Sequence, residues 1–166
     1  MTQPPAEPAT RASVRTEDQP DPTSRATYWR WTRAMTRFCD TDANGHVNNT
    51  IFGQYIEAGR VMLITQMADD ASIVNPWVVA RVEIDLLAQL GFPAELDIGT
   101  RVASVGNSSY AVISGVFEGE RCVAKGRTVM VYAPDGRSCP PPAAEKTAIL
   151  RELQGPAGVD SPTDEG

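Results

Sequence analysis

The sequence predicts an α+β domain, one long central helix wrapped by a curved antiparallel five-stranded sheet. Two patterns carry that expectation. Between residues 49 and 67, apolar side chains recur at three- and four-residue intervals. From about residue 78 to 132 the period changes to two, broken only by turn residues.

The elements follow in order. Residues 1–26 are rich in Pro, Ala, Thr, Asp and Glu and read as a disordered tail, as do residues 155–166, leaving 27–154 as the domain. In residues 28–38, Trp29, Trp31 and Met35 occupy alternate positions, which suggests a first strand. In the helix, Ile51, Phe52, Tyr55, Ile56, Ala58, Gly59, Met62 and Leu63 form a wide stripe, with Gln54, Glu57, Arg60 and Thr65 as its polar positions. So broad a stripe is expected to lie under a sheet. Asn48 or Asn49 is a natural N-cap.

Beyond Pro76, Val78, Ala80, Val82, Ile84 and Leu86 alternate with Arg81, Glu83 and Asp85, the pattern of a strand with one buried face. Gly91-Phe92-Pro93 interrupts. Leu96, Ile98 and Val102 open a strand ending at Gly106-Asn107; Tyr110, Val112 and Val116 make another, closed by Glu118-Gly119-Glu120; residues 122–132 make the last. The turn residues between them imply an antiparallel meander. Pro140 to Pro142 then lead into a short helix over residues 143–153.

The bulk properties narrow the function. The 166 residues are 42% hydrophobic and 22% charged, enough for one domain with a core. The net charge is -6, of which the two tails carry -4, so the domain is close to neutral. That argues against nucleic acid or an anionic membrane as partner. No apolar run is long enough to span a membrane, and the N-terminus lacks the order of a signal peptide. Cys39, Cys122 and Cys139 have neither metal-ligand nor disulfide-framework spacing. The expectation is a reduced, cytoplasmic protein with no metal.

Chemistry concentrates in Asp40-Thr41-Asp42-Ala43-Asn44-Gly45-His46-Val47-Asn48-Asn49, directly ahead of the helix. A helix start presents unpaired N–H groups and the positive end of the dipole, which suit a polarised or anionic group. This run, with Tyr55, Glu57 and Arg60 downstream, resembles the signature of the hotdog-fold acyl-CoA thioesterases, in their 4-hydroxybenzoyl-CoA thioesterase-like branch. Val105-Gly106-Asn107-Ser108-Ser109-Tyr110 also looks like the turn between that family's third and fourth strands. The resemblance covers residues 28–153.

The resemblance implies hydrolysis of a thioester of coenzyme A, or of an acyl carrier protein. Coenzyme A would be part of the substrate, and no cofactor is implied. The catalytic carboxylate of that branch maps onto Asp42, and the carbonyl-polarising backbone N–H onto Asn49. Asp42 could attack directly or act as general base on water, and the sequence leaves both open. The bland alternative for Asp42 is a turn carboxylate; the surrounding motif favours catalysis. Asp40 is assigned a structural role in the loop.

Gly45, His46, Asn48, Glu57, Ser108 and Ser109 are assigned to the substrate site. His46 is the chain's single histidine, yet the reaction does not require one, and its expected task is ordering the loop. Gly45 suits close backbone approach or a positive φ. Glu57, able to pair with Arg60, rivals Asp42 because a related branch uses a helix glutamate. Arg81, Lys125 and Arg127 read as solvated strand charges, and Cys39 lacks a basic partner to activate it. The family pairs two units into one sheet with each site at the interface, so a homodimer or homotetramer is expected. The competing readings are a hydratase, whose Asp-x-Asn-Pro-x-His pattern is absent, and a non-catalytic acyl-CoA-binding module.

Overall fold

The computed structural model describes residues 20–67 and 76–156. Strand β1 (Arg30–Met35) is followed by helix α1 (Ile51–Met67), strands β2 (Trp77–Leu86), β3 (Glu95–Val105), β4 (Ser109–Glu118) and β5 (Arg121–Tyr132), and helix α2 (Ala143–Gln154). The five strands form one antiparallel sheet in the order β1-β3-β4-β5-β2. The meander over β3, β4 and β5 is as expected. The first strand joins its β3 edge, and β2 joins its β5 edge.

Helix α1 lies against β1, β3 and β4. Its buried face is Phe52, Tyr55, Ile56, Gly59, Arg60, Leu63 and Ile64. The stripe is therefore narrower than the sequence suggests: Ala58, Val61 and Met62 are exposed, while Arg60 is buried. The core divides along the helix. Val47, Phe52, Tyr55 and Ile56 pack on Leu96, Ile98, Val116, Val123 and Ala124 at one end. Leu63 and Ile64 pack on Trp77, Val102, Tyr110, Val112, Met130 and Ile149 at the other.

Strand β2 departs from expectation. It is an edge strand, exposed on both faces from Val78 to Glu83, and no buried face is formed within the single chain. A bulge between Val79 and Arg81 also resets its alternation. Val79, Val82, Ile84 and Leu86, rather than Val78 and Ala80, pair with Met130, Thr128, Gly126 and Ala124 and so share their helix-side face. Of these only Ile84 packs against α1, near Gly53, while Val79, Val82 and Leu86 remain 43%, 51% and 44% exposed.

Strand β4 is buried on both faces. The outer face is covered by residues 20–29, of which 20–26 belong to the stretch read from sequence as tail, so the folded unit includes residues before 27. Residues before 20 lie outside the described residues. Tyr28 lies across the cross-strand pair Gly99 and Gly115 and packs on Ile113 and Phe117. Its hydroxyl donates to the Pro22 carbonyl at 2.7 Å. Arg25 pairs with Asp97 at 2.9 Å, donates to the Gly119 carbonyl and stacks on Trp31. A polar, proline-rich sequence conceals this strap because a few anchors hold it instead of an apolar period.

Glycine at 99 is required by that close approach: a Cβ there would stand 2.6 Å from Cγ of Tyr28. Gly99→Ala should lower stability by about 1–3 kcal/mol, the usual cost of overpacking. Urea unfolding followed by tryptophan fluorescence measures it.

Candidate active site

The segment between β1 and α1 folds into a compact polar loop. A 3-10 turn at Phe38–Asp40 ends β1. Thr41 and Val47 then form an antiparallel bridge. Across it the Asp42 N–H donates to the His46 carbonyl at 2.8 Å, and the Gly45 N–H donates to the Asp42 carbonyl at 3.0 Å. Gly45 closes the turn at φ 77°, a left-handed conformation glycine accepts without steric cost. Asn44 N–H donates to Asp42 Oδ1 at 2.8 Å, a local Asx turn. Asp42 Oδ2 makes no hydrogen bond among the described residues.

The loop closes on Asp40. The Asn48 N–H donates to the Asp40 carbonyl at 2.8 Å. The Asp40 side chain is 1% exposed and accepts from the Arg37 N–H at 2.8 Å, from the Arg37 guanidinium and from the Tyr55 hydroxyl at 2.8 Å. Burial alone would raise this carboxyl. The hydrogen bonds from Arg37 and Tyr55 outweigh it and hold the group below the usual carboxylate range. The structural role assigned to Asp40 is therefore visible as an anchor. Burial and the bond to Asp40 raise Tyr55 above the usual phenol range, so it stays protonated and donates.

At the helix start, Asn48 Oδ1 accepts from the Thr50 N–H at 3.0 Å and the Thr50 hydroxyl at 2.8 Å. The Asn49 side chain makes no such bond among the described residues, so Asn48 is the cap. The Asn49 backbone N–H likewise has no acceptor among the described residues, and Asn49 is an exposed residue just ahead of α1.

Asp42, Asn44, His46 and Asn49 line one side of a cleft of about 490 Å³. Val47 and Phe52 continue it, and residues 86–90 form the facing wall, pinned by the bond from the Val47 N–H to the Leu90 carbonyl at 2.8 Å. Asp42, Asn49 and the largely apolar residues 86–90 thus line one concavity, of a kind that can hold a polarised carbonyl with an apolar substituent. A depression of about 540 Å³ along β1, lined by Arg33, Met35, Glu95 and Asp97 among others, contains none of the motif residues.

The remaining assigned residues sit elsewhere. Gly45 and Asn48 shape the loop without lining the cleft. Glu57 is 64% exposed and pairs with buried Arg60 at 2.9 Å, outside the cleft. Ser108 and Ser109 occupy the turn beside Tyr132 and Ser138, at the Trp77 end of the sheet. The cleft lies at the Leu86 end, so a single chain does not bring these serines to it. Sequence reasoning missed Asn44, Phe52 and residues 86–90. The available signal was the apolar run Leu86-Leu87-Ala88, where the alternation of β2 stops. Among the described residues, no three His, Cys, Asp or Glu side chains converge as a metal site, and no helix is long and apolar enough to cross a membrane.

Comparisons with known proteins agree with this fold. Residues 36–150 match the family model described as the thioesterase-like superfamily. A thioesterase from Thermus thermophilus, solved with coenzyme A and zinc, is 32% identical with a TM-score of 0.69, covering 75% of this chain and 99% of its own. A predicted thioesterase from Bacillus stearothermophilus is 27% identical with a TM-score of 0.68, covering 74% and 95%. A gentisyl-coenzyme A thioesterase, at 20% identity and a TM-score of 0.66 over 72% and 98%, shares the fold. No curated protein sequence matches. The fold is the hotdog fold of these thioesterases, one long helix and a curved antiparallel sheet.

The Asp40 anchor has a pH signature. Its folded-state pKa lies below the unfolded value of about 3.9, so its stabilisation is complete above that value and is lost as pH falls through the folded pKa. Asp40→Asn should destabilise the protein at pH 7 by about 1–3 kcal/mol. It should also flatten the loss of stability below about pH 4. Urea unfolding of both proteins across that range checks both.

Proposed function

The chain belongs to the thioesterase-like superfamily, and from that premise we propose that it hydrolyses an acyl-CoA thioester to the free acid and coenzyme A. The observation that carries this reading is the pairing, in one cleft, of Asp42 with the unpaired Asn49 N–H at the start of α1.

The thioester carbonyl oxygen accepts from the Asn49 N–H, where the helix dipole stabilises the charge that develops on it. Asp42 then removes a proton from water as its hydroxyl adds to the carbonyl carbon. Collapse of the tetrahedral intermediate breaks the C–S bond, and the departing thiolate recovers the proton. In the other route Asp42 Oδ2 itself attacks, the thiolate leaves and water hydrolyses the resulting anhydride. Both routes use the same two groups. The acyl group lies along Phe52 and the apolar wall at residues 86–90. His46 and Asn44 form the polar rim.

The free β2 edge supports a dimer. Its unpaired backbone and exposed Val79, Val82 and Leu86 are an unstable surface for an isolated chain. Antiparallel pairing of two β2 edges about a twofold axis lays the Trp77 end of one chain beside the Leu86 end of the other. This brings the 106–109 turn of one copy towards the cleft of the other, which gives Ser108 and Ser109 their role in substrate binding. The same dimer could pair again into a tetramer.

A panel of aromatic and fatty acyl-CoAs, assayed for thiol release, tests the reading. Asp42→Asn should lower kcat by roughly 10²–10⁴-fold on the best substrate, the usual worth of a positioned acid–base group, while Glu57→Gln keeps most activity. Full activity in Asp42→Asn with loss in Glu57→Gln would transfer the carboxylate role to Glu57. Binding without hydrolysis across the panel would favour a binding module.

A further inference from the structure

The catalytic reading concerns two groups on separate pieces of backbone, Asp42 on the loop and the Asn49 N–H at the helix start. Their relative position depends on what ties the loop to the helix. The loop's internal bonds, Asp42 N–H to His46 and Gly45 N–H to Asp42, shape it without fastening it to the body of α1. The Asn48 contact fastens it only to the helix's leading edge.

A side-chain tie into α1 itself runs through Tyr55, which lies beyond the first turn. Its hydroxyl is 2.8 Å from Asp40 Oδ2, its ring is buried, and the same Asp40 accepts the Asn48 N–H on its carbonyl. Asp40 therefore receives the helix on its carboxylate and the end of the loop on its backbone. Asp42 sits two residues further on.

We propose that Tyr55 is a positioning residue for the reaction: its hydroxyl, through Asp40, holds the Asp42 carboxylate in register with the Asn49 N–H. This rests on the assignment of Asp42 and Asn49 as the reacting groups. Tyr55 touches no substrate, since the cleft is lined by Phe52 on that helix and not by Tyr55. Removing its hydroxyl keeps the ring packed on Phe52, which it meets edge-on at 6.3 Å. The loop then keeps only the exposed Arg37–Gln54 bond at 3.3 Å and the packing of Val47 as ties to the body of α1, and a misplacement on the order of 1 Å can cost up to about 10²-fold in rate.

The test compares wild type, Tyr55→Phe and Trp29→Phe in steady-state hydrolysis of the best acyl-CoA, with melting temperatures alongside. Trp29→Phe serves as a control because it also deletes one aromatic donor to a buried carboxylate, Glu152, outside the loop and the cleft. Tyr55→Phe should lower kcat by roughly ten- to a hundredfold with KM nearly unchanged, and Trp29→Phe should keep wild-type kcat at a similar melting temperature. Wild-type kcat in Tyr55→Phe overturns the positioning role, as does an equal loss in Trp29→Phe. An inactive wild type that still binds acyl-CoA refutes the hydrolase reading itself, a different outcome from either.

Discussion

The buried carboxylate of Asp40 is the constraint on which the site depends. A carboxylate with 1% exposure is tolerated only when its oxygens are supplied with donors. Arg37 from the end of β1 and Tyr55 from α1 supply them. Satisfying one buried charge thus joins three segments: the strand that enters the loop, the loop, and the helix that leaves it. Asp42 and the Asn49 N–H lie within that closed circuit. Asp42 and Asn49 line one cleft, and Asp40, bonded to protein instead of water, ties together the segments that carry them.

The second constraint is the incomplete coverage of the sheet. Helix α1 sits over β1, β3 and β4, while the strap at residues 20–29 seals the outer face of β4. Both faces of the sheet's centre are thereby dry. The unfinished part is the β2 side, where Val79, Val82 and Leu86 face the helix layer and remain exposed. That side also ends at Leu86, the start of the cleft's apolar wall. On the proposed dimer, an interface there would complete the fold and the substrate site together and bring the turn at residues 106–109 towards the partner's cleft.

Much of this was legible in the sequence, for reasons that differ by element. The three- and four-residue period revealed α1 because a sheet buries one face of it. Gly106-Asn107 and Gly119 marked the turns of β3, β4 and β5 because hairpins need such residues. The motif at residues 40–49 was visible because its Asp, Gly and Asn offsets are fixed by the loop's own hydrogen bonds. Other features left no local trace. The Val79/Arg81 bulge changed which valines face the helix, though the alternation through Val78 and Ala80 looked regular. Residues 20–26 of the strap read as tail because Pro22 and Arg25 act singly. The Asp40–Tyr55 bond spans fifteen positions, so neither residue announces its partner. Glu57, a rival carboxylate by sequence, is exposed, pairs with Arg60 and is not among the residues that line the cleft.

In the proposed mechanism a thioester carbonyl binds between the Asn49 N–H and Asp42. The most direct measurement is a crystal structure with an acyl-CoA analogue in which a methylene separates carbonyl and sulfur, so that the ketone cannot be hydrolysed. The account predicts its carbonyl oxygen within about 3 Å of the Asn49 nitrogen, with Asp42 Oδ2 facing the carbonyl carbon directly or through one water. An analogue bound with its carbonyl against Glu57 and Arg60, or away from the start of α1, would contradict it.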